Sequence, residues 1–95
     1  MAYPNPNEEI KLSDSSDWKL FDQIEKDFRA AFAARSIEVC DGLDQAYHDL
    51  DVEGTVVTLH LEHYLGIRLF LRHPDRASEK DSKMLNRIKD YFETR

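Results

Sequence analysis

From residue 18 onward, apolar side chains recur in steps of three and four: Trp18, Phe21, Ile24, Phe28, Ala31 and Phe32. That period matches a helical turn, so the spacing predicts an amphipathic helix over about 17–34 with one apolar stripe. Asp14, Ser15 and Ser16 stand just ahead of it, and side chains of these types accept hydrogen bonds from the free N–H groups of a first turn. The aromatic stripe reads as core, the usual meaning of this spacing, rather than as a cofactor box.

From Ser36 the period falls to two. Ile37 and Val39, then Ala46, His48, Leu50 and Val52, then Val57, Leu59, Leu61 and His63, then Ile67, Leu69 and Leu71 alternate with polar residues. Alternation puts successive side chains on opposite faces of a strand. Turns fall at Glu53-Gly54 and at Glu62 to Gly66. A two-residue turn at the first sets Leu50 opposite Val57 and His48 opposite Leu59. A loop ending at Gly66 sets Leu61 opposite Ile67 and Leu59 opposite Leu69. Both registers gather the apolar set on one face, and a slip of one residue would scatter it. Residues 43–50 also fit a short helix through Leu43, Ala46, Tyr47 and Leu50, and the pattern leaves both open.

Pro74 ends the last strand. Ser78 and Asp81 form a capping box ahead of Met84, Leu85, Ile88, Tyr91 and Phe92, which predicts a second helix over about 78–93. The expected fold is α+β, a two-layer sandwich. An antiparallel sheet of three to four strands carries an N-terminal and a C-terminal helix on one face, in the order α-β-β-β-β-α. Residues 1–12, broken by Pro4 and Pro6, are expected to be a disordered lead-in to a single domain at 13–95.

Composition narrows the class. With 95 residues, 41% hydrophobic and 34% charged, and only three glycines and three prolines, the chain suits one globular core. It has no apolar run long enough for a membrane span, and its first residues lack the basic and apolar regions of a secretory signal. Cys40 is the single cysteine, which excludes a disulfide within the chain and a cysteine metal cluster. A cytoplasmic protein with no cofactor is expected.

The net charge of −6 is uneven. Residues 1–54 carry −8 and residues 55–95 carry +2, and no Lys or Arg occurs between Arg35 and Arg68. That stretch holds Glu38, Asp41, Asp44, Asp49, Asp51, Glu53 and Glu62. It repels phosphate backbones and membranes and suits a basic protein partner. An acidic surface also keeps a small protein in solution.

On the sheet face opposite the apolar set, the registers align Tyr47, His60 and Arg68 in one row. Asp49, Thr58 and Phe70 form the next, and Asp51, Val56 and Arg72 the third. Together with Glu62 these polar and aromatic residues are the candidate binding positions, although cross-strand pairs of this kind also stabilise sheets in their own right. His60-Leu61-Glu62-His63 invites a metal reading, but on a strand His60 and Glu62 share a face while His63 points away, and a third ligand is missing. His48 and His63 read as hydrogen-bonded residues at the core margin. Asp49 to Gly54 resembles the start of a calcium loop, yet His60 stands where a bidentate Glu should close the shell. Acidic neighbours disfavour a thiolate at Cys40. Lys80, Lys83 and Arg87 form a basic stripe on the second helix, diluted by Asp81, Asp90 and Glu93, so nucleic-acid binding is disfavoured.

The run Glu38-Val39-Cys40-Asp41-Gly42-Leu43-Asp44, with Val57-Thr58-Leu59-His60-Leu61-Glu62 and Leu65-Gly66-Ile67, resembles a family of small bacterial proteins of unknown function over about residues 17–92. The resemblance implies a bacterial, intracellular protein and carries no activity. From the residues themselves, the first functional expectation is a non-enzymatic interaction or regulatory module using the polar face and the acidic segment. Its sharpest form is an inhibitor or immunity-type protein against a basic partner, and a homodimer is the other form. The alternative is a small enzyme or metal-binding domain centred on His60, Glu62 and Tyr47.

Overall fold

The computed structural model describes residues 7–94, so residues 1–6 of the lead-in expected at 1–12 lie outside the described residues. The chain runs β1 (Ile10–Ser13), α1 (Trp18–Phe32), β2 (Arg35–Asp41), β3 (Gln45–Val52), β4 (Thr55–Glu62), β5 (Gly66–Leu71), a 3-10 turn at Pro74–Arg76, and α2 (Glu79–Glu93). The strands form one antiparallel sheet in the order β1-β5-β4-β3-β2. The fold is α+β as expected, with five strands where three to four were anticipated.

The β3–β4 register is the predicted one, with Leu50 opposite Val57 and His48 opposite Leu59. Glu53 and Gly54 both have positive φ, 52° and 92°. A two-residue turn of that kind matches the right-handed twist of the flanking strands and so fixes the pairing. The β4–β5 pairs Leu61–Ile67 and Leu59–Leu69 follow as predicted. Residues 45–52 are strand, which settles the helix alternative for 43–50.

The additional strand is β1, and it corrects the lead-in: residues 10–12 belong to the sheet, with Ile10 buried opposite Leu69. Gly66 shows how tightly β1 is seated. Its φ is +85°, and a Cβ there would fall 2.1 Å from the Ser13 carbonyl oxygen. Only glycine meets both demands.

The N-cap of α1 is Asp17, whose side chain accepts from the Lys19 N–H, rather than Asp14, Ser15 or Ser16. Ser16 instead donates to the carbonyls of Glu62 (2.7 Å) and His63, tying the helix start to the β4–β5 turn. At α2 the predicted capping box is complete. Asp81 also accepts from the Thr55 hydroxyl at 2.7 Å, which pins the helix to β4.

One core joins Phe21, Ile24 and Phe28 of α1, Met84, Leu85 and Ile88 of α2, and the apolar face of the sheet. Leu59 and Leu61 are buried there, as the register required. Val39 was expected to join that face, but all seven residues of β2 are exposed. Only β3 borders β2, at one end of the sheet.

Candidate functional site

The three predicted rows are present on the sheet face opposite the helices: Tyr47 pairs with His60 and His60 with Arg68, and Asp49 pairs with Thr58 and Thr58 with Phe70. In the third row Asp51 faces Val56, and the Arg72 N–H donates to the Val56 carbonyl. The face is far less open than a solvated sheet. His60 is 4% exposed, Thr58 and Asp49 are buried as well, and Phe70 is half-buried. Side chains cover them. The Tyr47 ring stacks on His60 at 4.1 Å and 11°, and the Phe70 ring meets it edge-on at 6.0 Å.

Charge pairing runs across the strands. Asp49 accepts from the Thr58 hydroxyl at 2.6 Å and lies 3.1 Å from Arg72 Nε. Asp51 accepts from Arg35 at 2.7 Å and from the Gly54 N–H. The Arg35 contact is the main reason its carboxyl is held below the usual range. Glu62 lies 3.6 Å from Arg68, which also pairs with Glu9. The candidate carboxylates of the acidic segment are therefore largely neutralised at home. The absence of any Lys or Arg between Arg35 and Arg68 favoured a basic partner for this segment, but Asp49 and Asp51 take their bases, Arg72 and Arg35, from outside it.

His60 Nδ1 lies 3.4 Å from an Arg68 nitrogen, while Nε2 is buried without a hydrogen-bond partner, 3.9 Å from Glu62. Burial first, and the Arg68 charge second, push its pKa down. The imidazole is thus a neutral ring packed under tyrosine. Among the described residues no group of three His, Cys, Asp or Glu side chains is arranged to hold a metal ion. Beside it lies a cavity of about 290 Å³ lined by Glu38, Cys40, Tyr47, Asp49, Phe70 and Arg72, with Thr58 at its floor.

His48, on the helix side, is held at both ring nitrogens, by Glu25 at 3.0 Å and Asp41 at 2.7 Å. Burial is the largest single influence and lowers its pKa, but the two carboxylates together outweigh it and the pKa is raised. His63 differs from the expectation and is exposed in the β4–β5 turn against Tyr64. The basic stripe of α2 is also engaged: Lys80 donates to the Glu53 carbonyl, Lys83 pairs with Glu79 and Arg87 with Glu53. It lies on the helix layer, whereas Arg68 and Arg72 project from the opposite sheet face, so these bases do not form one patch.

What the sequence did not single out is where the exposed apolar groups sit. Among the described residues the large ones are Trp18, Ile37, Val39, Leu43, Tyr47, Tyr64 and Leu65, with Leu43 97% and Tyr64 89% exposed. Ile37 and Val39 are on β2 and Tyr47 on its neighbour β3. The other four lie at one end of the sheet, where the His63 N–H donates to the Asp44 carbonyl and Ser16 ties α1 to the same turn. Glu38 and Asp44 lie within this surface, and neither side chain has an ion-pair partner among the described residues.

No family model, curated protein or solved structure matches the chain. No helix of the described residues is long and apolar enough to cross a membrane.

Proposed function

We propose that the chain is a non-enzymatic interaction module of the cytoplasm that binds a basic protein through β2 and the turns beside it. The observation that carries this reading is the exposure of large apolar side chains on β2 (Ile37 and Val39) and in the β2–β3 turn that follows it (Leu43), with Tyr64 and Leu65 exposed in the turn to which that loop is hydrogen-bonded. Large apolar side chains exposed among polar groups suit a protein-binding surface, and Trp and Tyr are among the residues that most often anchor one. Glu38 and Asp44 supply unneutralised negative charge at the same place, which favours a cationic partner and speeds its approach. Arg35, the single base of β2, is taken up by Asp51. An inhibitor of a basic enzyme, as an immunity protein is toward a nuclease toxin, is the sharpest form of the proposal.

The rival reading, chemistry at His60, has less support, because the ring lies stacked under Tyr47 and the nearest carboxylate, Glu62, is itself drawn toward Arg68. The test is photo-crosslinking in the cells that make the protein, with a photoreactive residue at Val39, at Leu43, or at Lys83 on α2. Adducts to one basic protein from the first two positions and none from the third are expected. Adducts from Lys83 alone, or no adduct from Val39 and Leu43, contradict the proposal.

A further inference from the structure

The partner's mode of docking can be read from the backbone of β2. As the last strand of the sheet it pairs on one side only, so its outward N–H and C=O groups have no partner strand. Natural proteins guard such edges with lysine, proline, bulges or very short strands. The opposite edge, β1, follows that rule: it spans four residues, shifts register between Lys11 and Ser13, and carries Lys11. β2 spans seven residues without lysine or proline, all exposed, with Ile37 55% and Val39 53% accessible. Like β1 it carries one register shift, between Ser36 and Glu38, so the unguarded part of the edge is Glu38 to Asp41, which pair regularly with β3.

The side chains of this regular part are sorted by face. Glu38 and Cys40 stand opposite Asp49 and Tyr47 on the open face, and both line the cavity of about 290 Å³. Val39 and Asp41 stand opposite His48 and Ala46 on the helix side, where Asp41 is held by His48. An extended segment laid along β2 would thus meet a free carboxylate and an aromatic-walled cavity on one face and an apolar side chain on the other. Tyr47 and Phe70 suit the methylene stem of a lysine or arginine whose head reaches Glu38. In strand addition, main-chain hydrogen bonds supply affinity and pockets for alternate side chains supply selection.

We infer that β2 is a docking edge for an extended, basic segment of the partner, which adds as a sixth strand and sets alternate Lys or Arg side chains over Glu38 and the adjoining cavity. The inference rests on the proposed interaction surface. A second copy of this chain fits less well. Glu38 has no ion-pair partner among the described residues, and a symmetric antiparallel pairing about it sets two such carboxylates face to face.

The probe is a short peptide of alternating lysine and valine, compared with a fully N-methylated twin that keeps its charges and loses its backbone donors. With the full-length chain, the parent peptide is expected to shift the amide resonances of residues 35–41 and slow their hydrogen exchange. The twin should bind at least about tenfold more weakly, and Glu38→Lys should weaken the parent about tenfold, the size of one charge-assisted contact. Equal binding of parent and twin overturns strand addition while leaving the charged interaction surface standing. No binding of either overturns the inference, and the crosslinks at Leu43 then judge the broader proposal separately. Protection of β2 that grows with protein concentration, without peptide, makes a second copy the occupant and also overturns it.

Discussion

Asp49→Ala separates a structural carboxylate from a steering one. Asp49 sits at 9% exposure, bonded to the hydroxyl of Thr58, a residue 2% exposed, and to Arg72 on the protein surface. Truncation removes a hydrogen bond to a charged acceptor, about 1.5–3 kcal/mol, and strands the buried Thr58 hydroxyl, which costs about 1–3 kcal/mol more when water cannot reach it. Arg72 is half-exposed and regains water, so its share is small. Allowing for partial rehydration, the expected loss is about 2–4 kcal/mol, against at most about 0.5 kcal/mol for Glu38→Lys on the exposed edge. Urea unfolding followed by circular dichroism measures both. In a double-mutant cycle, Thr58→Val should recover part of the loss, with a coupling of about 1–2 kcal/mol, because the pair is removed together. A cost below about 0.5 kcal/mol for Asp49→Ala, with an additive cycle, would refute the reasoning and return Asp49 to the free acids.

Three further outcomes follow from the fold. His48 has a folded-state pKa raised above its usual value near 6.5, so its contribution is full below that value and is lost as pH rises through the folded pKa. The stability advantage of wild type over His48→Gln should therefore shrink as pH is raised from about 6 to about 9, and an advantage that grows would contradict the Glu25–His48–Asp41 bridge. Gly66→Ala should cost at least about 2 kcal/mol and expose the β1 amides to hydrogen exchange, since the new methyl meets the Ser13 carbonyl. Leu59→Ala should cost about 2–5 kcal/mol in thermal or urea unfolding, and a near-neutral result would put the register of β4 in doubt.

The central hairpins were legible because two independent signals agreed, the turn at Glu53-Gly54 and the alternation on either side of it. β1 was not, since its four residues offer only Ile10 and Leu12, too few to register as alternation, and its partner Leu69 lies 59 positions away. Val39 alternates like a core residue, but a pattern does not say which strand ends the sheet. The acidic segment misled for a related reason. Its bases lie outside it in sequence and beside it in space: Arg35 reaches Asp51 across one strand pair, and Arg72 reaches Asp49 from the far side of β4. The candidate rows on the open face were correctly assembled, yet their burial under Tyr47 and Phe70 depends on ring placement that no spacing encodes. That the exposed Leu43 and the exposed Tyr64 and Leu65 sit on two neighbouring turns needed those turns to be joined, which the His63–Asp44 hydrogen bond records.

The most direct test of the proposed surface is the association rate of the basic partner identified by crosslinking, measured with wild type and with the Glu38→Lys, Asp44→Lys double variant at low and high salt. Long-range attraction acts before contact and is screened within about 10 Å at 0.1 M salt. The proposal predicts a slower on-rate for the variant at low salt, converging on wild type at high salt, with the unfolding midpoint nearly unchanged. Equal on-rates at low salt, with the variant folded, would contradict it.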